Sequence, residues 1–138
     1  MKNIMVLFAC LTVMASAAGQ LKNTRWKANV IIDNPVNVIL DFKENTVDCY
    51  RVADSSMIES MSYSQSDTTF TLMKISGQSD CDTSVPGKYS YKLLNGKMTI
   101  KMVDDGCTDR SSVIDNTEWS ALLEHAGEKV PTKRSKER

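Results

Sequence analysis

Residues 81–110, CDTSVPGKYSYKLLNGKMTIKMVDDGCTDR, contain a β-hairpin whose register can be read directly. Asn95 and Gly96 both tolerate the positive φ of a type I′ turn, which makes the pair a strong hairpin signal. With these two at the turn, Leu94 opposes Lys97, Leu93 opposes Met98, Tyr91 opposes Ile100 and Tyr89 opposes Met102. The last three pairs are apolar on apolar. The alternate pairs, Lys92 with Thr99 and Ser90 with Lys101, are polar on polar. A slip of one residue would destroy that match, so one face of the hairpin is buried and the other is wet.

The same register decides the cysteine pairing. It brings Cys81 and Cys107 to the open end of the same two strands. A bridge there closes a loop of roughly 25 residues, worth about 3.5 kcal/mol in the chain-entropy model. Cys49 is left over inside a strand-like run and reads as a buried free thiol that packs as a small apolar group. The fourth cysteine, Cys10, lies in the leader.

That leader is a charged start, Met1-Lys2-Asn3, an apolar run from Ile4 to Met14, and the small-x-small site Ala15-Ser16-Ala17. Residues 1–17 therefore read as a secretory signal peptide, too short in its apolar run to span a bilayer. A lipoprotein anchor at Cys10 is the rejected rival, because the apolar run continues past it. The expected location is secreted or periplasmic, where disulfides persist. Residues 20–123 then form one domain, and residues 124–138 a charged tail that solvent should keep disordered. The formal net charge of zero gives no electrostatic case for nucleic acid.

The mature chain repeats a period of two between short turn clusters. Strands are predicted over residues 26–32, 36–42, 46–52, 57–64, 68–75, 87–94, 97–103 and near 118–122. Asp33-Asn34-Pro35, Glu44-Asn45, Asp54-Ser55-Ser56 and Gln65-Ser66-Asp67 supply the turns. Eight short strands in sequential hairpins describe an all-β, antiparallel up-and-down meander. Left open it would expose two edges; closed into a barrel it exposes none. The inward set is predicted to include Trp26, Val38, Leu40, Phe42, Phe70, Leu72, Tyr89, Tyr91, Met98, Ile100 and Met102.

Leu21-Lys22-Asn23-Thr24-Arg25-Trp26, Gly87-Lys88-Tyr89-Ser90-Tyr91, Asp104-Asp105-Gly106-Cys107-Thr108-Asp109-Arg110 and Trp119 together resemble the small secreted lipocalin-like proteins of bacteria, within the calycin group. The lipocalin pattern has Gly two residues before the first Trp, where this chain has Thr24. The resemblance implies a barrel, and it implies that Arg110 packs over Trp26 to close the base.

No catalytic constellation emerges. His125 is the only histidine and sits near the start of the tail, away from any Ser or Cys it would have to activate. No phosphate-binding Gly-rich loop is present, and no cofactor or metal is expected. Asp80, Asp82, Asp104, Asp105 and Asp109 gather near the disulfide but match no calcium loop; they read as turn residues, with one pairing Arg110. Met57/Met61 and Met98/Met102 are about 13 Å apart along a strand, too far to share one metal ion. The expected function is therefore non-enzymatic: a monomeric barrel that takes a small apolar ligand against Phe70, Tyr89, Tyr91, Met98 and Met102. The alternative is a protein-interaction or inhibitor module acting through the acidic loops at the disulfide end.

Overall fold

The computed structural model describes residues 20–122. The leader with Cys10, and the tail with His125, lie outside the described residues. Eight strands and one helix follow in order: β1 (Thr24–Ile32), β2 (Asn34–Phe42), β3 (Thr46–Arg51), β4 (Met57–Ser66), β5 (Thr69–Gly77), β6 (Gly87–Leu94), β7 (Lys97–Asp105), α1 (Thr108–Ile114) and β8 (Thr117–Ala121). Every strand pairs antiparallel with its successor, and β1 pairs with β8, so the sheet is a closed up-and-down barrel.

The β6–β7 register is the one expected from the turn. Leu93 opposes Met98, Tyr91 opposes Ile100, and Asn95 and Gly96 sit at φ 51° and 73°. Other tight turns use the same device: Asn23, Asp33, Ser55 and Asn116 all hold positive φ, a region that short polar side chains tolerate. The first turn is tighter than expected. β1 runs to Ile32 and β2 starts at Asn34, which leaves Asp33 alone at the corner and puts Pro35 opposite Ile31.

Ten of the eleven residues assigned to the interior are buried, with Tyr89, Met98, Ile100 and Val38 fully so. Met102 is the exception, 42% exposed. A bulge between Lys88 and Tyr89 leaves Val103 without a partner, so the simple alternation of β7 ends here. The Met102 amide donates instead to Asp115 Oδ1 (2.7 Å), in the turn between α1 and β8.

The helix α1 was not predicted. Its buried residues are Arg110 and Ile114, with Val113 partly buried. The inward stripe is led by a cation, so no apolar period announces it. The disulfide is Cys81–Cys107, as the hairpin register required. It ties the β5–β6 loop to the residue preceding the helix.

One six-residue pattern occurs twice: Leu21-Lys22-Asn23-Thr24-Arg25-Trp26 before and into β1, and Ile114-Asp115-Asn116-Thr117-Glu118-Trp119 into β8. Both are built alike. The Asn takes the left-handed conformation. The Thr hydroxyl donates to the carbonyl three residues back, Leu21 or Ile114. The same hydroxyl accepts the indole N–H of the following Trp, at 2.8 Å for Trp26 and 2.7 Å for Trp119. Leu21 is buried at the base of the barrel and Ile114 at its mouth, the end carrying α1 and the disulfide. Thr24 stands where the lipocalin pattern has glycine, and it does what glycine cannot: it satisfies the indole N–H of a buried Trp.

Arg110 does not lie over Trp26. Its guanidinium forms a two-pronged pair with Asp105, Nε to Oδ2 and Nη2 to Oδ1, each 2.7 Å, and Nη2 also donates to the Val85 carbonyl at 2.9 Å. Asp105 further accepts from the Tyr89 hydroxyl and from the Cys107 amide. The pair sits at the mouth, whereas Trp26 sits near the base, opposite Ala121. The expected closure is replaced because a buried guanidinium takes a carboxylate in preference to a ring face. A Cβ at Gly87 would stand 2.3 Å from Asp105 Oδ2 and 2.8 Å from Arg110 Nε, so only glycine admits the pair at this point of β6.

Two stability tests follow from this arrangement. Replacing Cys81 and Cys107 together by Ser should lower stability by about 3 kcal/mol with an unchanged circular dichroism spectrum; an unchanged melting temperature would show that the bridge contributes nothing. Burial pushes the Asp105 carboxyl up, but the bonds from Arg110, Tyr89 and the Cys107 amide outweigh it and hold the group below its usual range. A carboxyl lowered in the folded state stabilises fully above its unfolded pKa of about 3.9 and loses that contribution as pH falls through the folded value. Denaturant midpoints measured from neutral pH downward should therefore fall in acid more steeply for the wild type than for Asp105→Asn. That variant should already be destabilised at neutral pH by about 3–5 kcal/mol.

Candidate functional site

The barrel is unevenly filled. On the β5–β6 side Phe70 stacks on Tyr89 with ring centroids 5.7 Å apart and meets Tyr91 at 5.8 Å and Phe42 at 6.0 Å. Phe42 in turn meets Tyr63 edge-on at 5.2 Å. These rings occupy the interior, and their polar ends are engaged: Tyr91 accepts from Gln65 and donates to the Asp67 carbonyl, and Tyr89 donates to Asp105. The residues expected to line a pocket on this side, Phe70, Tyr89, Tyr91 and Met98, are instead packed on one another as core. Met102 lies outside. None of the five borders the cavity.

The space lies on the other side of the barrel, against β2, β3 and β4, where the inward residues are smaller. It is a cavity of about 470 Å³ that reaches solvent at the mouth. Leu40, Cys49, Ile58, Met61 and Trp119 form its inner wall, and Val113 and Ile114 of α1 close it from above. The seam beside it is short. β1 and β8 pair only at Trp26–Ala121 and Lys27–Ser120, so on its β8 side the upper half of β1, including Ile31 and Ile32, borders the cavity and α1.

Charged groups collect at the rim. Arg51 reaches Gln78 Oε1 at 3.4 Å. Glu59 is buried, and accepts from the Ser79 hydroxyl (2.6 Å) and amide (3.2 Å), with Lys74 Nζ at 3.9 Å. A Cβ at Gly77, which has φ 140°, would stand 2.3 Å from Glu59 Oε2; glycine there lets the end of β5 pass this carboxylate. Asp33, Asp80 and Asp109 complete an acidic lip, and Asp109 also accepts the Asp80 amide at 2.9 Å. The nearby acidic residues have local tasks of this kind: Asp82 accepts from the Ser84 amide and hydroxyl, and Asp104 lies opposite Lys88. Among the described residues no three carboxylate, thiol or imidazole groups gather around one point.

Among the described residues Cys49 is the free thiol, buried as expected and facing the cavity. Burial, with a further push from Glu59 and a smaller opposing pull from Arg51, raises its pKa to about 12. The sulfur is thus a neutral, weakly polar part of the wall rather than a poised nucleophile. Arg110 also borders the cavity. Its Nη1 is shielded from water and makes no hydrogen bond, while the rest of the guanidinium is committed to Asp105 and Val85.

No protein-family model, no curated protein and no solved structure matches the chain. The class supported is a closed eight-stranded antiparallel β-barrel with one disulfide. Among the described residues no helix is long and apolar enough to cross a membrane.

The cavity's position was not readable from strand alternation, which separates inward from outward residues but does not compare side-chain volumes around a ring. The available signal was the contrast between the aromatic residues of β5–β6 and the Cys, Ile and Met of β3–β4. The state of Cys49 provides a direct check. In the folded protein its alkylation by iodoacetamide should show no thiolate-driven rise until the pH nears about 12. In denaturant the rise should come near the ordinary thiol value of about 8.5. A rise at the ordinary value in the folded protein would show an exposed sulfur.

Proposed function

We propose that this protein is a secreted or periplasmic, non-enzymatic, lipocalin-like carrier that binds a small, mainly apolar molecule in the cavity at the disulfide end. The observation that carries the reading is the cavity itself, about 470 Å³ with an apolar inner wall and a polar rim. Ligand sites commonly occupy a few hundred Å³ and pair apolar walls with a few polar groups that orient the guest. The Cys81–Cys107 bridge supports an oxidising compartment. The raised Cys49 pKa supports a binding wall rather than a catalytic one. In this reading Leu40, Ile58, Met61 and Trp119 hold the apolar part of the guest, and Arg51 and Glu59 set its orientation at the rim.

Ile58→Trp, which adds volume inside the cavity, tests it. Native mass spectrometry of the mature protein from its own secretions should release a small molecule, and the variant should carry at least tenfold less. Ser112→Phe narrows the rim from α1 and serves as a second variant with less demand on the core. Equal loading of both variants would place the ligand elsewhere. A ligand-free wild type together with capture of a protein lost on charge reversal of Asp80, Asp82 and Asp109 would move function to the acidic loops, which the disulfide holds in place.

A further inference from the structure

One sector of the barrel's outer face near the base is rich in lysine, while the base turns on the other side carry Glu44 and Asp67. On β6, β7, β8 and β1 the residues pointing outward near the base form two adjoining rows. Leu94 opposes Lys97, Lys97 opposes Ser120, and Ser120 opposes Lys27. One step toward the mouth, Lys92 opposes Thr99, and Thr99 opposes Glu118. Lys27, Lys92 and Lys97 are exposed, and Glu118 is the single carboxylate in these rows. Its contact with Lys97, 3.9 Å between two exposed groups, neutralises little.

Two further features converge at the tip of the same hairpin. Leu94 is 72% exposed, and Leu93 beside it is 36% exposed. The chain also leaves the barrel at this point: the Ala121 amide donates to the Gly96 carbonyl (2.9 Å). The sixteen residues after Leu122 carry five Lys or Arg against three Glu. An apolar tip and three lysines behind it lie at one end of the described barrel.

We infer that this end docks on an anionic phospholipid surface, with Leu93 and Leu94 entering the interface and Lys27, Lys92 and Lys97 facing the headgroups. Residues two apart on a strand face are about 7 Å apart. Lys97 and Lys92 therefore stand within about one Debye length of a surface touched by Leu94, and Lys27 is two strands over from Lys97 in the same row. Lys101, four residues beyond Lys97, is about 13 Å farther from the tip and contributes less. Nucleic acid fits this end poorly. The lysines are not interleaved with exposed aromatic rings that could stack on bases, and two leucines would meet phosphate. The cavity mouth points the opposite way, so docking leaves it open to solvent.

The test is co-sedimentation of the full mature chain with vesicles of phosphatidylcholine mixed with phosphatidylglycerol, and with phosphatidylcholine alone. Each lysine near an anionic surface is worth about fivefold in affinity. Lys27→Glu/Lys92→Glu/Lys97→Glu should therefore bind the mixed vesicles at least about a hundredfold more weakly, with an unchanged circular dichroism spectrum. Leu94→Ser should weaken binding several-fold while keeping its salt dependence. Wild-type binding should fall as salt is added. Equal binding to phosphatidylcholine alone, no binding to the mixed vesicles at low salt, or wild-type binding by the triple-lysine variant would each overturn the proposal. So would tighter capture by duplex DNA that Leu94→Ser leaves unchanged.

Discussion

The buried pair between Arg110 and Asp105 is the contact on which the mouth of this barrel is organised. Both side chains are almost wholly shielded from water. Removing two charges from water is costly, and their attraction offsets that cost only when the remaining donors and acceptors are also satisfied. Here the Tyr89 hydroxyl, the Cys107 amide and the Val85 carbonyl do most of that work. One node thereby joins the start of β6, the loop before it, the end of β7 and the first turns of α1. The disulfide anchors the same loop to the same helix start. With the helix pinned twice, Val113 and Ile114 are held over the cavity, and the shape of the cavity depends on an ion pair that touches it only at its edge.

A second constraint is volume. An eight-stranded barrel is just wide enough for side chains to fill or for one small guest, so the choice is made by which residues face inward on each strand. Phe42, Phe70, Tyr89 and Tyr91 are large enough to fill their part of the interior and meet as rings. Cys49, Ile58 and Met61 on the facing wall are not. A barrel that is core on one side and cavity on the other results from unequal side chains in an otherwise regular sheet. The neutral Cys49 suits this arrangement, since a thiolate would bring an unpaired charge into an apolar wall.

Much of the fold was legible because its signals are local. Asn95-Gly96 sets a turn within two residues, the turn sets the register, and the register places both bridging cysteines. Alternation identified ten interior residues correctly. It failed at Met102, where a bulge breaks the count, and at α1, where the inward stripe begins with a charged residue. The resemblance placed Arg110 over an indole, whereas the reading of the acidic cluster had one of its aspartates pairing Arg110, and the second holds. That partner, Asp105, five residues earlier, is reached through the β7–α1 bend, and Gly87 from a different strand makes the room. The paired Asn-Thr-x-Trp turns lay in plain view at residues 23–26 and 116–119. Their meaning appears only when both Thr hydroxyls are seen to join a turn carbonyl to an indole.

The two ends of the barrel differ in a way that net charge conceals. A chain with formal charge zero places Asp33, Asp80 and Asp109 at the lip of the cavity and Lys27, Lys92 and Lys97 toward the base. Charges separated along the barrel axis act on different partners when the separation exceeds the screening length of roughly 8–10 Å. An anionic surface attracts these lysines and repels the acidic lip, so it would orient the molecule as well as hold it. Orientation and cavity then reinforce each other: the short β1–β8 seam, the helix pinned by Asp105 and the apolar wall beneath it all lie at the end that such a surface turns toward solvent.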